Sequence, residues 1–196
     1  MGKSDPIRAH LGCLRDVKRW LKAARADGVV IGGIAAGLLG TPRVTKDVDI
    51  LVVIDDSDWS RFVDCGRQFG FESRISDAVA FARENRVLLM RHRPSKVDVD
   101  VSLGALDFER EVLERAISVV VQRTSIPVPT PEDLIIMKMI ARRPRDIRDV
   151  EGLMERYQKL DLARVRRVVE DFASILESPE IIEDMERLLR PRPPKR

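Results

Sequence analysis

Hydrophobic and polar positions alternate most strictly over Lys96–Leu103, where Val97, Val99, Val101 and Leu103 fall on one face and Asp98, Asp100 and Ser102 on the other. That period of two predicts a half-covered strand. A second signal lies upstream. The apolar run Val29-Val30-Ile31 predicts a buried strand, Gly32-Gly33 a tight turn, and Ile34–Leu39 a short helix of small residues ended by Gly40. A basic loop, Thr41-Pro42-Arg43-Val44-Thr45-Lys46, then leads into another strand, Asp47–Val53. Residues two apart on a strand share a face, so Asp47 and Asp49 project side by side.

The rest of the pattern is mostly helical. Ile7–Ala26 carries Leu11, Leu14, Val17, Leu21 and Ala24 on one stripe, with Arg8, Arg15, Lys18 and Arg19 as a solvated face, and Asp27-Gly28 turns the chain. Asp56-Ser57-Asp58 reads as the N-terminal cap of a helix over Trp59–Phe69. A short strand at Phe71–Arg74, a helix capped by Ser76-Asp77 and running through Arg83, and a strand at Val87–Met90 follow. Asp107–Ala116 is a helix, and Val119–Val121 and Ile126–Val128 are short strands. Beyond a proline-punctuated loop, Thr130-Pro131 opens a helical region with helices at 132–142, 146–157, 162–176 and 181–189. The tail from Pro191 to Arg196 reads as disordered. The organisation expected is therefore α+β: a small mixed sheet with flanking helices and an N-terminal helix over 1–129, a helical region over 130–190, and the tail.

Composition narrows the function classes. With 44% hydrophobic and 34% charged residues the chain is globular, and a net charge of +3 permits a nucleotide or nucleic-acid partner without demanding one. Two cysteines and two isolated histidines exclude a disulfide framework and a His/Cys metal centre. Aromatic residues are only 5%, which leaves little material for stacking on single-stranded bases. No apolar run approaches the ~20 residues of a membrane span, no signal peptide is evident, and a cytoplasmic protein is expected. No G-x-x-x-x-G-K-[ST] motif is present.

The candidate chemistry lies in the acids. Two carboxylates side by side at a strand head repel unless a cation lies between them, and a divalent metal is the usual solution. Taken singly, a Gly-Gly turn or a D-x-D is common. Their combination, strand, Gly32-Gly33, helix, basic loop, then Asp47-x-Asp49, resembles the nucleotidyltransferase superfamily with the DNA polymerase β-like fold. Thirteen residues separate Gly33 from Asp47, and Gly33 stands where many of these transferases carry Ser. The stretch IGGIAAGLLGTPRVTKDVDILV is similar to the AbiEii-like branch, known from toxin–antitoxin systems. A second similarity lies in PTPEDLIIMKMIARRPRDIRDVEGL, where Lys138 matches a helix lysine of that branch and Arg145-Asp146-Ile147-Arg148-Asp149 its R-D-x-x-D helix, with the roles of Asp146 and Asp149 open. Together the two similarities span about Val29–Leu153.

The resemblance implies a metal-dependent transfer of a nucleoside monophosphate from an NTP to an acceptor, whether RNA, protein or a small molecule. Asp47, Asp49 and Asp100 would be the catalytic acids and metal ligands, with Asp98 the reserve for the third. Two Mg2+ ions are expected, with Mn2+ as the substitute, because hard cations take carboxylate and phosphate oxygens. Gly32 and Gly33 would let a triphosphate approach the backbone at a helix N-terminus, and Arg43, Lys46 and Lys138 would neutralise its charge. A cognate antitoxin or a second copy is the protein partner implied. The rival reading is a non-catalytic binding or regulatory protein on the same fold.

Overall fold

The computed structural model describes the backbone from Pro6 to Leu189 and side chains from His10 onward. The expected disordered tail lies outside these residues. The chain divides into two compact units: one ends at Ala35 and resumes over Arg43–Pro129, and the other comprises Ala36–Pro42 and the chain from Thr130.

The first unit is built on five strands: β1 (Asp27–Ile31), β2 (Asp47–Val53), β3 (Phe71–Ser73), β4 (Val87–His92) and β5 (Val97–Leu103), in the order β1-β2-β5-β4-β3. β2 and β5 run parallel, and every other pairing is antiparallel. Asp27-Gly28, expected as a turn, are the first residues of β1 and pair with Val53 and Val52. The hydrophobic period sorts the two faces. Val30, Ile50, Val101, Leu88 and their neighbours two residues away make a buried face, as does Phe71 at the far edge. α1 (Pro6–Ala24) and α3 (Trp59–Arg67) cover this side.

An aromatic cluster that the leucine stripe does not reveal joins these layers. Trp20 is fully buried and stacks on Phe62 of α3 at 4.3 Å and on Phe71 of β3 at 4.7 Å between ring centroids. Its indole N–H donates to the Phe62 carbonyl at 2.8 Å. Gly66 lets the ring approach α3, since a Cβ there would lie 2.7 Å from it. Asp58, expected to cap α3 with its side chain, makes no such bond, because Asp56–Asp58 form a 3-10 turn that feeds straight into the helix. Asp77 does cap α4 (Ala78–Asn85), accepting from the Ala80 N–H.

His92 is also buried on this face, with Nδ1 2.7 Å from Ser95 Oγ and Nε2 3.3 Å from Asp16. Burial holds its pKa below the usual value, although Asp16 opposes the shift. The unfolded chain then binds a proton at about pH 6.5 that the folded chain resists. This stability contribution is complete above that pH and is lost as pH falls through it toward the lower folded value. Thermal melts should therefore show a melting temperature that drops between pH 7 and 5, with a shallower drop in His92→Gln.

On the opposite face, α5 (Asp107–Glu114) packs over the far ends of β1 and β2, and its Glu109 carboxylate accepts from the backbone of Ala105 and Leu106. A separate hairpin, β6 (Ile117–Val121) and β7 (Thr124–Val128), completes the unit.

In the helical unit, α6 (Pro131–Ala141), α7 (Pro144–Arg156), α8 (Leu162–Ile175) and α9 (Glu180–Leu189) pack around Leu134, Ile135, Met139, Leu153, Val165 and Met185. Thr130 caps α6 by accepting from the Asp133 N–H. Ion pairs join the helices: Asp133 with Arg164 across α6 and α8, and Arg142 with Asp184 and Glu180 of α9. Among the described residues no helix is long and apolar enough to cross a membrane.

Candidate active site

The site follows from the parallel pairing of β2 and β5. Their register sets Asp47 opposite Asp98 and Asp49 opposite Asp100. Parallel neighbours share a face, so four carboxylates from two strands lie together on the side of the sheet away from α1. Both strands alternate half-exposed acid with fully or largely buried valine at this end. Downstream, Ile50-Leu51-Val52 is buried on both faces and ends the polar patch.

Each acid has its own surroundings. Asp47 accepts a hydrogen bond from Thr45 Oγ1 at 2.8 Å. Asp49 lies against Gly32, the first residue of α2 (Gly32–Leu39), which has a φ of +63°. A Cβ on Gly32 would come within 2.0 Å of Asp49 Oδ2. Glycine is thus required there twice, by the left-handed backbone and by the carboxylate over it. The expected turn is absorbed into the helix: Gly32 and Gly33 form its first turn. Asp98 is held by Arg91 at 2.6 and 3.2 Å, and this bond keeps its pKa below the ordinary carboxylate range. Asp100 is pushed the other way, first by burial and then by the charges of Asp47 and Asp98, against the pull of Arg74. The Arg74 guanidinium hydrogen-bonds Asp100 and reaches Asp98 at 3.4 Å.

The basic loop turns toward the same end. Over Gly33, a Cβ would lie 2.8 Å from Thr45 Oγ1 and 3.1 Å from Arg43 Nη2. Thr45 and Arg43 therefore fill the space a side chain at position 33 would take. Lys46 is exposed at the entry to β2. Thr45, Arg74 and Arg91 do not stand out in the sequence. Thr45 precedes the strand by two residues, while the two arginines meet the acids only through the β3–β4–β5 pairing.

Lys138 belongs to the helical unit, and its ammonium lies 2.6 Å from Asp146 and 2.8 Å from Asp149, with all three side chains buried. It is not the solvated lysine that helix statistics favour. Asp146 also accepts from the Arg143 N–H, capping α7.

As donors, Asp47, Asp49 and Asp100 suit a hard divalent cation: all are carboxylates on one face of two adjacent strands in register. They do not form a finished cage, since among the described residues no three His, Cys, Asp or Glu side chains are gathered to hold a metal. Asp100 is turned to Arg74 instead.

A mixed sheet whose adjacent parallel strands present acids beside a Gly-Gly helix start is the nucleotidyltransferase fold. The sequence profile of the family DUF6036, described as "Nucleotidyltransferase of unknown function", matches residues 14–187, and the chain belongs to that family. Among solved structures, a solution structure of the antibiotic-resistance factor ANT(2'')-Ia is similar at a TM-score of 0.60 and 12% identity, over 90% of this chain and 97% of that one. A crystal structure of ANT(2")-Ia with adenylyl-2"-tobramycin gives 0.56 and 12%, over 87% and 99%. An antigenic nucleotidyltransferase-like protein from Paracoccidioides brasiliensis gives 0.51 and 16%, over 91% of each chain. Comparison with curated proteins gives no match.

These contacts define what a larger residue at 33 would meet. In Gly33→Val the branched side chain displaces Thr45 and Arg43 from the helix start and would close the backbone to the phosphate approach expected there. Affinity for a non-hydrolysable ATP analogue should fall at least tenfold, an estimate of roughly one charge-assisted hydrogen bond, with a smaller loss of stability. Calorimetric titration of the folded variant checks this, and unchanged affinity would overturn it.

Proposed function

We propose that the protein is a metal-dependent nucleotidyltransferase that moves an NMP from an NTP to an acceptor hydroxyl. The observation that carries the reading is the β2–β5 register, with Asp49 beside Asp100 and Asp47 beside Asp98, next to the left-handed glycine that opens α2. Asp47, Asp49 and Asp100 would hold one or two Mg2+ ions, or Mn2+. When bound, such ions neutralise triphosphate charge and polarise the attacking hydroxyl.

The chain's own residues supply the rest. The α2 N–H groups and Arg43, with Lys46 beside them, bind phosphate oxygens. Thr45 fixes the Asp47 carboxylate. Asp100, whose affinity for a proton is raised by burial and by its neighbours, takes the proton of the acceptor hydroxyl at a carboxylate oxygen. The hydroxyl oxygen bonds to the α-phosphorus, the bond to the β-phosphate bridge breaks, and pyrophosphate leaves. Lys138 would contact a phosphate only if its ammonium left Asp146 and Asp149.

The motif similarity supports placing the chain in the AbiEii-like branch, as a toxin-type enzyme acting on RNA or protein in the cytoplasm, where NTPs are abundant. One observation favours the non-catalytic rival: the third acid is engaged by Arg74. The deciding experiment incubates the protein with each α-32P-NTP, Mg2+, and total cell RNA or protein. Label transferred by wild type and not by Asp49→Asn supports the enzyme. Absence of transfer to every acceptor, together with measurable NTP binding, supports the rival.

A further inference from the structure

The Arg74 contact with Asp100 does not suit a site ready for a cation. Arg74 follows β3 directly, and its backbone N–H donates to the Leu89 carbonyl, so its Cα is pinned to the sheet beside β4. From there the side chain crosses to β5, bonding Asp100 and reaching Asp98. The two acids are not equivalent to it. Asp98 already has a two-pronged bond to Arg91, its cross-strand neighbour on β4, whereas Arg74 is the charged side chain that holds Asp100. The Arg74 side chain is 27% exposed, so its charge is only partly screened by water. When it leaves, Asp98 keeps Arg91, and Asp100 is the carboxylate freed for the cation.

We propose that Arg74 is a displaceable counter-ion of the third acid: it neutralises Asp100 in the metal-free protein and gives it up when a divalent cation binds at Asp47, Asp49 and Asp100. The inference rests on the nucleotidyl-transfer reading of the same carboxylates. It explains why four acids in register form no finished cage among the described residues. Asp47 and Asp49 contribute their carboxylates from β2, and the Asp100 carboxylate is exchanged from guanidinium to metal. The released guanidinium remains beside Asp98 and Arg91, leaving two cationic groups and one carboxylate on the β4 side of the site.

The test measures metal binding directly. Wild type, Arg74→Gln, Arg74→Lys and Asp49→Asn are titrated with Mn2+ by calorimetry without nucleotide. Arg74→Gln should bind Mn2+ on the order of tenfold more tightly than wild type, the loss of a competing charged hydrogen bond, while Arg74→Lys stays near wild type. In wild type itself, the Arg74 guanidinium NMR signals should lose their carboxylate-bonded shift as Mg2+ saturates the site, a readout that needs no variant to fold. Equal or weaker Mn2+ binding by Arg74→Gln, or Arg74 signals unchanged at saturation, would overturn the counter-ion role alone, provided Asp49→Asn abolishes wild-type binding. If wild type binds no metal, both this inference and the metal-dependent reading fall.

Discussion

Asp49→Asn abolishes labelled-nucleotide transfer while the melting temperature holds or rises. Asn matches Asp in size, so it fits over Gly32, where any larger group would be refused. The variant loses one full charge from the proposed ligand set of Asp47, Asp49 and Asp100. Removing a single electrostatic stabiliser from an active site costs about 10²–10³-fold, and a shared metal ligand should cost at least that. Stability should hold or rise because Asp47, Asp98 and Asp100 lie in register on the same face, and like charges on neighbouring strands repel. The two measurements are a transfer assay with α-32P-NTP and a thermal melt. Loss of transfer accompanied by a falling melting temperature would instead make Asp49 a folding residue.

Lys138→Met lowers the stability of the helical unit by about 3–5 kcal/mol, the usual consequence of removing one partner from a buried charge cluster. Methionine keeps the apolar stem but removes the ammonium that Asp146 and Asp149 both contact, and both carboxylates are nearly inaccessible to water. For a chain of this size a drop on the order of 10 °C in melting temperature follows. The same substitution therefore does not isolate a chemical role for the ammonium, as a solvated lysine would have allowed. The triple variant that adds Asp146→Asn and Asp149→Asn should recover most of the loss. If it does not, the packing of α6 on α7, and not the charge cluster, carries the stability.

Much of this was legible in residue order because the signals were local. Alternation at Val97–Leu103 and the D-x-D of β2 depend only on the period of a strand, and Gly32-Gly33 marks a place where backbone must approach closely. What escaped the sequence was pairwise. Trp20 falls outside the leucine stripe of α1, yet it is the fully buried ring onto which Phe62 and Phe71 stack. Arg91 opposes Asp98 because β4 turns back antiparallel onto β5, a register that no residue spacing encodes. Lys138 was readable as a charge in an apolar run, but its partners lie on the next helix, α7, where the roles of Asp146 and Asp149 stayed open. Thr45 was hidden for another reason: its role comes from the missing side chain at Gly33.

The parallel seam between β2 and β5 also has a consequence for how the chain acquires its chemistry. Antiparallel neighbours such as β4 and β5 close through a short turn, but β2 reaches β5 only after α3, β3, α4 and β4 have been laid down between them. Such long-range closure is the slow, entropically costly part of folding. The four acids thus converge near the end of the process, when the hairpins and helices that flank them already exist. A nascent or partly unfolded chain keeps its charges dispersed, and the proposed capacity to bind a cation would arrive together with the finished sheet.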